Sequence, residues 1–225
     1  MTRTVLVTGA NRGLGLATAT LLHARGWRVV LAARSGDAAS AAAASLGDGA
    51  RGVALDVTDP AAVAAVSARI GPVDALVSNA GVLLDGGTEP LSVPIQSVRE
   101  TFEVNVFGAW QVCQAFVPAM VRGGWGRVVI VSSGTGSFSN GLFTGAPGYA
   151  LSKTALNGLT TLLAAQTSGS GVLVNAVNPG MARTRMMPSA ERSPESAAVD
   201  IADAVTIPDG GPTGVFLRNG QPAGW

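Results

Sequence analysis

Residues 4–15 read Thr4-Val5-Leu6-Val7-Thr8-Gly9-Ala10-Asn11-Arg12-Gly13-Leu14-Gly15. Thr4 to Thr8 is a short apolar run of the kind that forms a strand buried on both faces, and it empties directly into glycines. Leu14, Ala17, Leu21 and Leu22 then recur at helical spacing until Gly26, where a helix must stop. Strand, glycine turn and helix start in direct succession make an anion site. Glycine lets the backbone approach a pyrophosphate, while the free N–H groups and the helix dipole face it. The spacing here is Gly-x3-Gly-x-Gly, distinct from the commoner Gly-x-Gly-x-x-Gly.

Working outward, the next strand, Arg28 to Ala33, ends in Arg34. In a dinucleotide-binding fold an acid at this strand end holds the adenine ribose 2′-hydroxyl, whereas an arginine accommodates a 2′-phosphate. The acid is absent, and Arg34 with Arg12 can bring two planar guanidinium groups to one phosphate, which favours NADP over NAD. The bland alternative is two solvated surface arginines. An Ala-rich helix over Asp37–Leu46, a strand over Gly52–Asp56, a helix over Pro60–Ile70 capped by Asp59, and a strand over Asp74–Ser78 follow. Strands alternating with helices of this length predict an α/β fold, a doubly wound parallel sheet of about seven strands with helices on both faces. Asp56 and Asn79-Ala80-Gly81 fall at C-terminal strand ends, the edge where such sheets bind ligands. Asp56 would serve equally well as a cap for the next helix.

Apolar positions Val98, Phe102, Val106, Ala109, Cys113, Phe116 and Met120 predict one long helix over Ser97–Met120, its last turn bent at Pro118. Asn105 lies beside Val106 on the buried stripe, where an amide must find partners. The strand Arg127–Ser132 then delivers Ser133 to the ligand edge. Tyr149-Ala-Leu-Ser-Lys153 places a phenol and an ammonium one helical turn apart on one face. A free tyrosine titrates near ~10 and a lysine near ~10.4, so a charged lysine beside the phenol is expected to pull the tyrosine towards working pH. Tyrosine and serine on one carbonyl oxygen are what hydride transfer to a ketone requires, because charge builds on that oxygen. Tyr149 is the only tyrosine in the chain.

Composition narrows the field. The 225 residues suit one domain, 1–225, with no polar linker to divide it. Charged residues make up 13% and the net charge is +1, against roughly 25% charged in average proteins. No basic stripe for nucleic acid and no basic amphipathic helix for a membrane is present. One cysteine, Cys113, excludes an internal disulfide, and one histidine, His23, leaves no metal cluster of the usual soft ligands. Residues 1–10 lack the pattern of a signal peptide, so a cytoplasmic protein is expected.

Glycine turn, strand-end Asp, Asn-Ala-Gly, mid-helix Asn, serine and Tyr-x3-Lys occur here in one order over nearly the whole chain. In that order they are highly specific, and the chain resembles the short-chain dehydrogenase/reductase family, in particular its carbonyl-reductase-like members. The resemblance implies a Rossmann-type domain in which Gly9, Asn11, Arg12, Gly13, Leu14 and Gly15 bind the dinucleotide, Asp56 and Val57 meet the adenine, and Asn79, Ala80 and Gly81 support strand and cofactor. It implies a catalytic tetrad of Asn105, positioning a water; Ser133, orienting the carbonyl; Tyr149, the acid/base; and Lys153, which also grips the nicotinamide ribose. Asn178-Pro179-Gly180 and Thr184 match the loop at the nicotinamide carboxamide. Homodimers or homotetramers through the long fourth and fifth helices are implied as well.

Three departures stand out. Ser78 replaces the first Asn of Asn-Asn-Ala-Gly; the Ser133–Tyr149 interval is longer than usual, with Ser132 adjoining; and the substrate lid, at about 181–193, is short. That lid carries Arg183, Arg185, Met186 and Met187, and the Ser133–Tyr149 loop adds Phe138, Leu142 and Phe143, which suit an apolar, bulky ketone. The expected activity is an NADPH-dependent reduction of a carbonyl, or the reverse alcohol oxidation. The alternatives are a dehydratase or isomerase on the same fold, or a sensor that binds NADP without turnover.

Overall fold

One eight-stranded sheet runs through the computed structural model, which describes residues 2–225. The strands are β1 (Thr4–Thr8), β2 (Arg28–Ala33), β3 (Ala50–Ala54), β4 (Ala75–Ser78), β5 (Gly126–Val131), β6 (Val172–Asn178), β7 (Phe216–Arg218) and β8 (Gln221–Ala223). Their order across the sheet is β3-β2-β1-β4-β5-β6-β7-β8. All neighbours are parallel except β7 and β8. The direction of winding reverses between β1 and β4, whose register pairs Val7 with Val77, so the ligand crevice of such a sheet opens at the ends of these two strands.

The helices are α1 (Gly13–Ala24), α2 (Gly36–Ala44), α3 (Pro60–Ile70), α4 (Ile95–Phe102), α5 (Ala109–Gly123), α6 (Pro147–Gln166) and α7 (Pro194–Val205). Most positions of the central strands are apolar, because both faces of the sheet are covered there. Leu6, Val30, Leu76, Val128 and Ile130 face α3, α5 and α6, where Val112, Phe116, Leu156 and Leu159 meet them. Val5, Val7, Leu31, Val77 and Val129 face the other way, towards Leu22 of α1, Ala42 of α2 and Ile201 of α7. Local sequence starts several helices: Asp59 accepts from the amides of Ala61 and Ala62, and Ser193 from that of Ser196, each followed by proline at the first helical position.

Two expectations need correction. The long helix is not a uniform α-helix: from Ile95 to Gly123 the chain stays helical, but Glu103–Gly108 widens into a π-turn between α4 and α5, and the helix runs on through Pro118. The widening falls where Asn105 turns inward and Gly108 abuts Val57; a Cβ on Gly108 would stand 2.7 Å from Val57 Cγ2. Within these 29 residues an 18-residue window has mean hydropathy 1.3, long and apolar enough to cross a membrane by length and composition; half of that window is buried, as in a core helix.

The eighth strand was the second omission. Asn219 and Gly220 both have positive φ (51° and 72°), and this two-residue turn returns the chain antiparallel, pairing Arg218 with Gln221. Beyond it the Trp225 ring stacks on Phe216 at 5.7 Å, and the Trp225 carbonyl accepts from both the amide and the hydroxyl of Ser139. The Gly224 carbonyl accepts from the Ser137 hydroxyl. The tail is thereby laced to the loop that follows β5.

Candidate active site

The ends of β1 and β4 are tied together at the crevice. Thr8 Oγ1 accepts the amides of Asn79 and Ala80, each at 3.0 Å, and Asn79 Nδ2 donates to the carbonyls of Thr8 (2.8 Å) and Gly9 (3.2 Å). The fit is tight enough that a Cβ on Gly15 would lie 2.4 Å from Gly9 O and 2.5 Å from Asn79 Nδ2. The α1 helix then begins without a capping side chain, so its first-turn amides and the positive end of its dipole are left to a ligand. Gly13 (φ +53°) lies beside the lid: a Cβ there would stand 3.5 Å from the Thr184 methyl, so glycine turn and lid face each other across the crevice.

Arg12 and Arg34 are both exposed on this side. Asp56 Oδ1 accepts from the Thr58 amide and hydroxyl, at 3.0 and 2.8 Å. These two bonds, and behind them the Arg34 charge, hold its carboxyl below the ordinary carboxylate value. The cap of α3 is Asp59, so the alternative reading of Asp56 falls away. The Val57 carbonyl is held by Gln111 Nε2 at 2.6 Å. Across the crevice, Asn178 Oδ1 accepts the Gly180 amide and Arg192 donates to the Pro179 carbonyl at 2.7 Å while pairing with Asp200 at 2.8 Å. Arg192 also closes the neck of the lid through the Ala182–Arg192 bridge.

At the end of β5 the two serines part. Ser132 is buried and donates to Asn157 Oδ1 (2.7 Å) and the Lys153 carbonyl. Ser133 is half-buried beside the Tyr149 phenol. Its Oγ accepts from the Thr135 amide (3.2 Å) and hydroxyl (3.0 Å), which leaves its own hydrogen to donate elsewhere. Lys153, 4% exposed, sends Nζ to the Val131 carbonyl at 2.8 Å, 5.4 Å from the Tyr149 ring centroid. Asn105, 1% exposed, donates to the Val82 carbonyl (2.9 Å) and Ser152 Oγ (3.0 Å) and accepts the Val82 amide (2.8 Å). Ser152 in turn donates to the Tyr149 carbonyl at 2.7 Å. Asn105 therefore ties down backbone, and both its side-chain hydrogens go to protein partners.

The electrostatics differ from the sequence expectation. Burial pushes Tyr149 up to about 12, with the Ser133 hydroxyl acting the other way, and burial pushes Lys153 down to about 8. The lysine does not pull the phenol towards neutrality in this state, because desolvation disfavours the charged form of each group.

Comparison with known proteins places this geometry. The short chain dehydrogenase family matches residues 3–195. The 3-oxoacyl-[acyl-carrier-protein] reductase FabG of Escherichia coli K12 is 36% identical over 185 residues, 80% of this chain and 74% of that protein. The oxidoreductase UcpA of Escherichia coli O157:H7 is 36% identical over 216 residues, 91% of this chain and 81% of that protein. A solved short chain dehydrogenase/reductase family protein superposes with a TM-score of 0.84 at 32% identity, over 96% of this chain and 94% of that one. The chain belongs to the short-chain dehydrogenase/reductase family.

As a member of that family it is an oxidoreductase that works with a nicotinamide cofactor, and the residues present fit such a group: uncapped α1 amides, the crevice beside Gly13, and the Pro179–Thr184 wall. Among the described residues no cluster of three metal ligands occurs. Sequence reading missed Asp85, Ser152 and Asn157. Asp85, 1% exposed, accepts the amides of Gly148 and Tyr149 at the start of α6. The available signal was that Asp85 is the only charged residue between Asp74 and Glu89.

Proposed function

We propose that this family member is an NADPH-dependent carbonyl reductase, or the reverse alcohol dehydrogenase, acting on an apolar small-molecule carbonyl. One observation carries the reading: Ser133 and Tyr149 meet hydroxyl to hydroxyl at the end of β5, above a lysine on the same helix as the tyrosine. Gly9–Gly15 and Gly180 would hold a nicotinamide cofactor, whose chemistry there would be hydride donation to the carbonyl carbon. Tyr149 gives its phenolic proton to the carbonyl oxygen, and Ser133 donates to the same oxygen as negative charge develops on it. The raised affinity of Tyr149 for its proton suits an acid kept protonated until the oxygen demands it. Lys153 grips the ribose, and Asn105 holds the Val82 loop and α6 in place.

The exposed Arg12 and Arg34 at the β2 edge support NADPH over NADH. Gly9, Asn11, Gly13, Leu14 and Gly15 line the phosphates; Asp56 and Val57 the adenine; Asn79, Ala80 and Gly81 the central crevice; Pro179, Gly180 and Thr184 the nicotinamide. Phe138, Phe143, Met186 and Met187 are exposed around the approach and support an apolar substrate. The names of the FabG relatives make a 3-oxoacyl thioester one member of the panel to try. Exposed Ile95, Phe107 and Trp110 on the α4–α5 stretch and Leu151 and Leu162 on α6 support a homodimer or homotetramer through these helices, in the cytoplasm.

The test is NADPH consumption against ketones, aldehydes, quinones and a 3-oxoacyl thioester, with product mass measured. A product two hydrogens heavier than substrate is expected. A product of unchanged or water-depleted mass would overturn the redox reading in favour of isomerisation or dehydration.

A further inference from the structure

Tyr149 is held through its own peptide group from two sides. Its carbonyl accepts from Ser152, which Asn105 holds. Its amide, and that of Gly148, point at the carboxylate of Asp85, which arrives from the loop after β4, 63 residues away in sequence from Gly148. The N-cap of α6, Ala146, has no side chain to offer, so the far carboxylate does the capping. Among the described residues Asp85 forms no ion pair; the two amides and the positive end of a 20-residue helix are what offset its burial. Space is close as well: a Cβ on Gly148 would stand 3.0 Å from Asp85 Oδ2 and 3.1 Å from Val98 Cγ2, so a side chain at 148 presses on both the carboxylate and Val98, which must give by a few tenths of an ångström. The same loop pairs Gly87 with the Gly145 carbonyl, and its start at Val82 is clamped by Asn105.

We propose that Asp85 is a positioning residue for Tyr149, fixing where the phenol stands against Ser133, so that turnover depends on it while cofactor affinity does not. The proposal rests on the carbonyl-reductase reading for its kinetic half. A stabilising cap elsewhere in the molecule would serve the fold alone; this one ends on the amide of the residue that gives the proton. Near-attack geometry is sensitive at this scale, since a displacement of about 1 Å costs up to ~10²-fold in rate.

Because Tyr149 is the only tyrosine, labelling with ¹⁵N-tyrosine gives a single amide resonance, which reports the Asp85 contact without any substrate. The variants are Asp85→Ala, which removes the acceptor, Asp85→Asn, which keeps one oxygen, and Gly148→Ala, which crowds the carboxylate with its charge intact. Asp85→Ala is expected to shift that resonance, speed its hydrogen exchange by about tenfold and lower kcat by about tenfold or more, with the NADPH Kd within about threefold of the parent. Gly148→Ala should follow it, and Asp85→Asn should fall between it and the parent. Should Asp85→Ala fail to fold, the other two carry the test. An unchanged exchange rate, a kcat within about twofold despite faster exchange, or an NADPH Kd that worsens in step with kcat overturns the proposal. If the parent protein reduces no carbonyl, the activity reading falls by itself, and the labelled amide still upholds or refutes the hold on Tyr149.

Discussion

Lys153 Nζ stands 5.4 Å from the centroid of the Tyr149 ring and spends a 2.8 Å hydrogen bond on the Val131 carbonyl. Burial moves the two groups in opposite directions, the phenol up to about 12 and the ammonium down to about 8, so their pairing sets the protonation state from which catalysis starts.

That state can be read directly. In the protein without cofactor, alkaline titration of the tyrosinate absorbance should show no ionisation of Tyr149 through about pH 10, the ordinary tyrosine midpoint. The four tryptophans do not titrate, and no second tyrosine confuses the signal. A midpoint at or below the ordinary value would show that burial does not control this phenol.

Tyr149→Phe keeps the ring and its packing and deletes the acid. A fall in kcat of roughly 10²-fold or more is expected, with the fold and the NADPH Kd retained. Near-normal turnover in this variant would remove Tyr149 from the mechanism.

Burial of Lys153 works against the stability of the fold. Its folded pKa of about 8 lies below the ordinary 10.5, so at neutral pH the folded protein carries a proton that burial disfavours. Below pH 8 both states are protonated and the cost is complete; between 8 and 10.5 the unfolded chain binds more protons and stability rises with pH. Lys153→Met should therefore be inactive yet more stable at pH 7, by on the order of 2 kcal/mol once the lost Val131 bond is allowed for, with the margin shrinking above pH 8. Denaturant unfolding at two pH values checks this; a variant less stable at both would refute it.

Arg34→Ala tests the cofactor preference. Removing a hydrogen bond to a charged phosphate should weaken NADPH by about 1.5–3 kcal/mol and leave NADH nearly unchanged. Equal affinities for NADH and NADPH in the parent would already contradict the assignment.

Much of the scaffold was legible from pattern alone. Apolar runs of five or six residues ending in glycine or at a helix cap predicted β1, β2, β4 and β5 to within a residue or two, because strands covered on both faces leave little else to read. The Asn219-Gly220 turn carried a strong hairpin signal that went unread, and β8 was lost with it. The π-turn at Glu103–Gly108 was not legible, since the apolar stripe resumes at Val112 and Phe116 as if the helix were uniform. Of the candidate site, spacing along the chain points to Ser133, Tyr149 and Lys153, which the fold brings to one strand end; buried polar groups that meet across the sheet, such as Asp85 with Gly148 or Asn157 with Ser132, leave no such mark. Side-chain periodicity says which face is inside and nothing about which amide waits there. The shifts of Tyr149 and Lys153 escaped for the same reason, as desolvation is a property of the packed state.

The Trp225 carbonyl that binds Ser139, with the Gly224 carbonyl on Ser137, makes the loop beside the reacting groups and the last strand pair a single mechanical unit. Anyone reshaping this enzyme's selectivity by grafting a foreign segment between Ser133 and Tyr149 would have to transplant the matching tail with it.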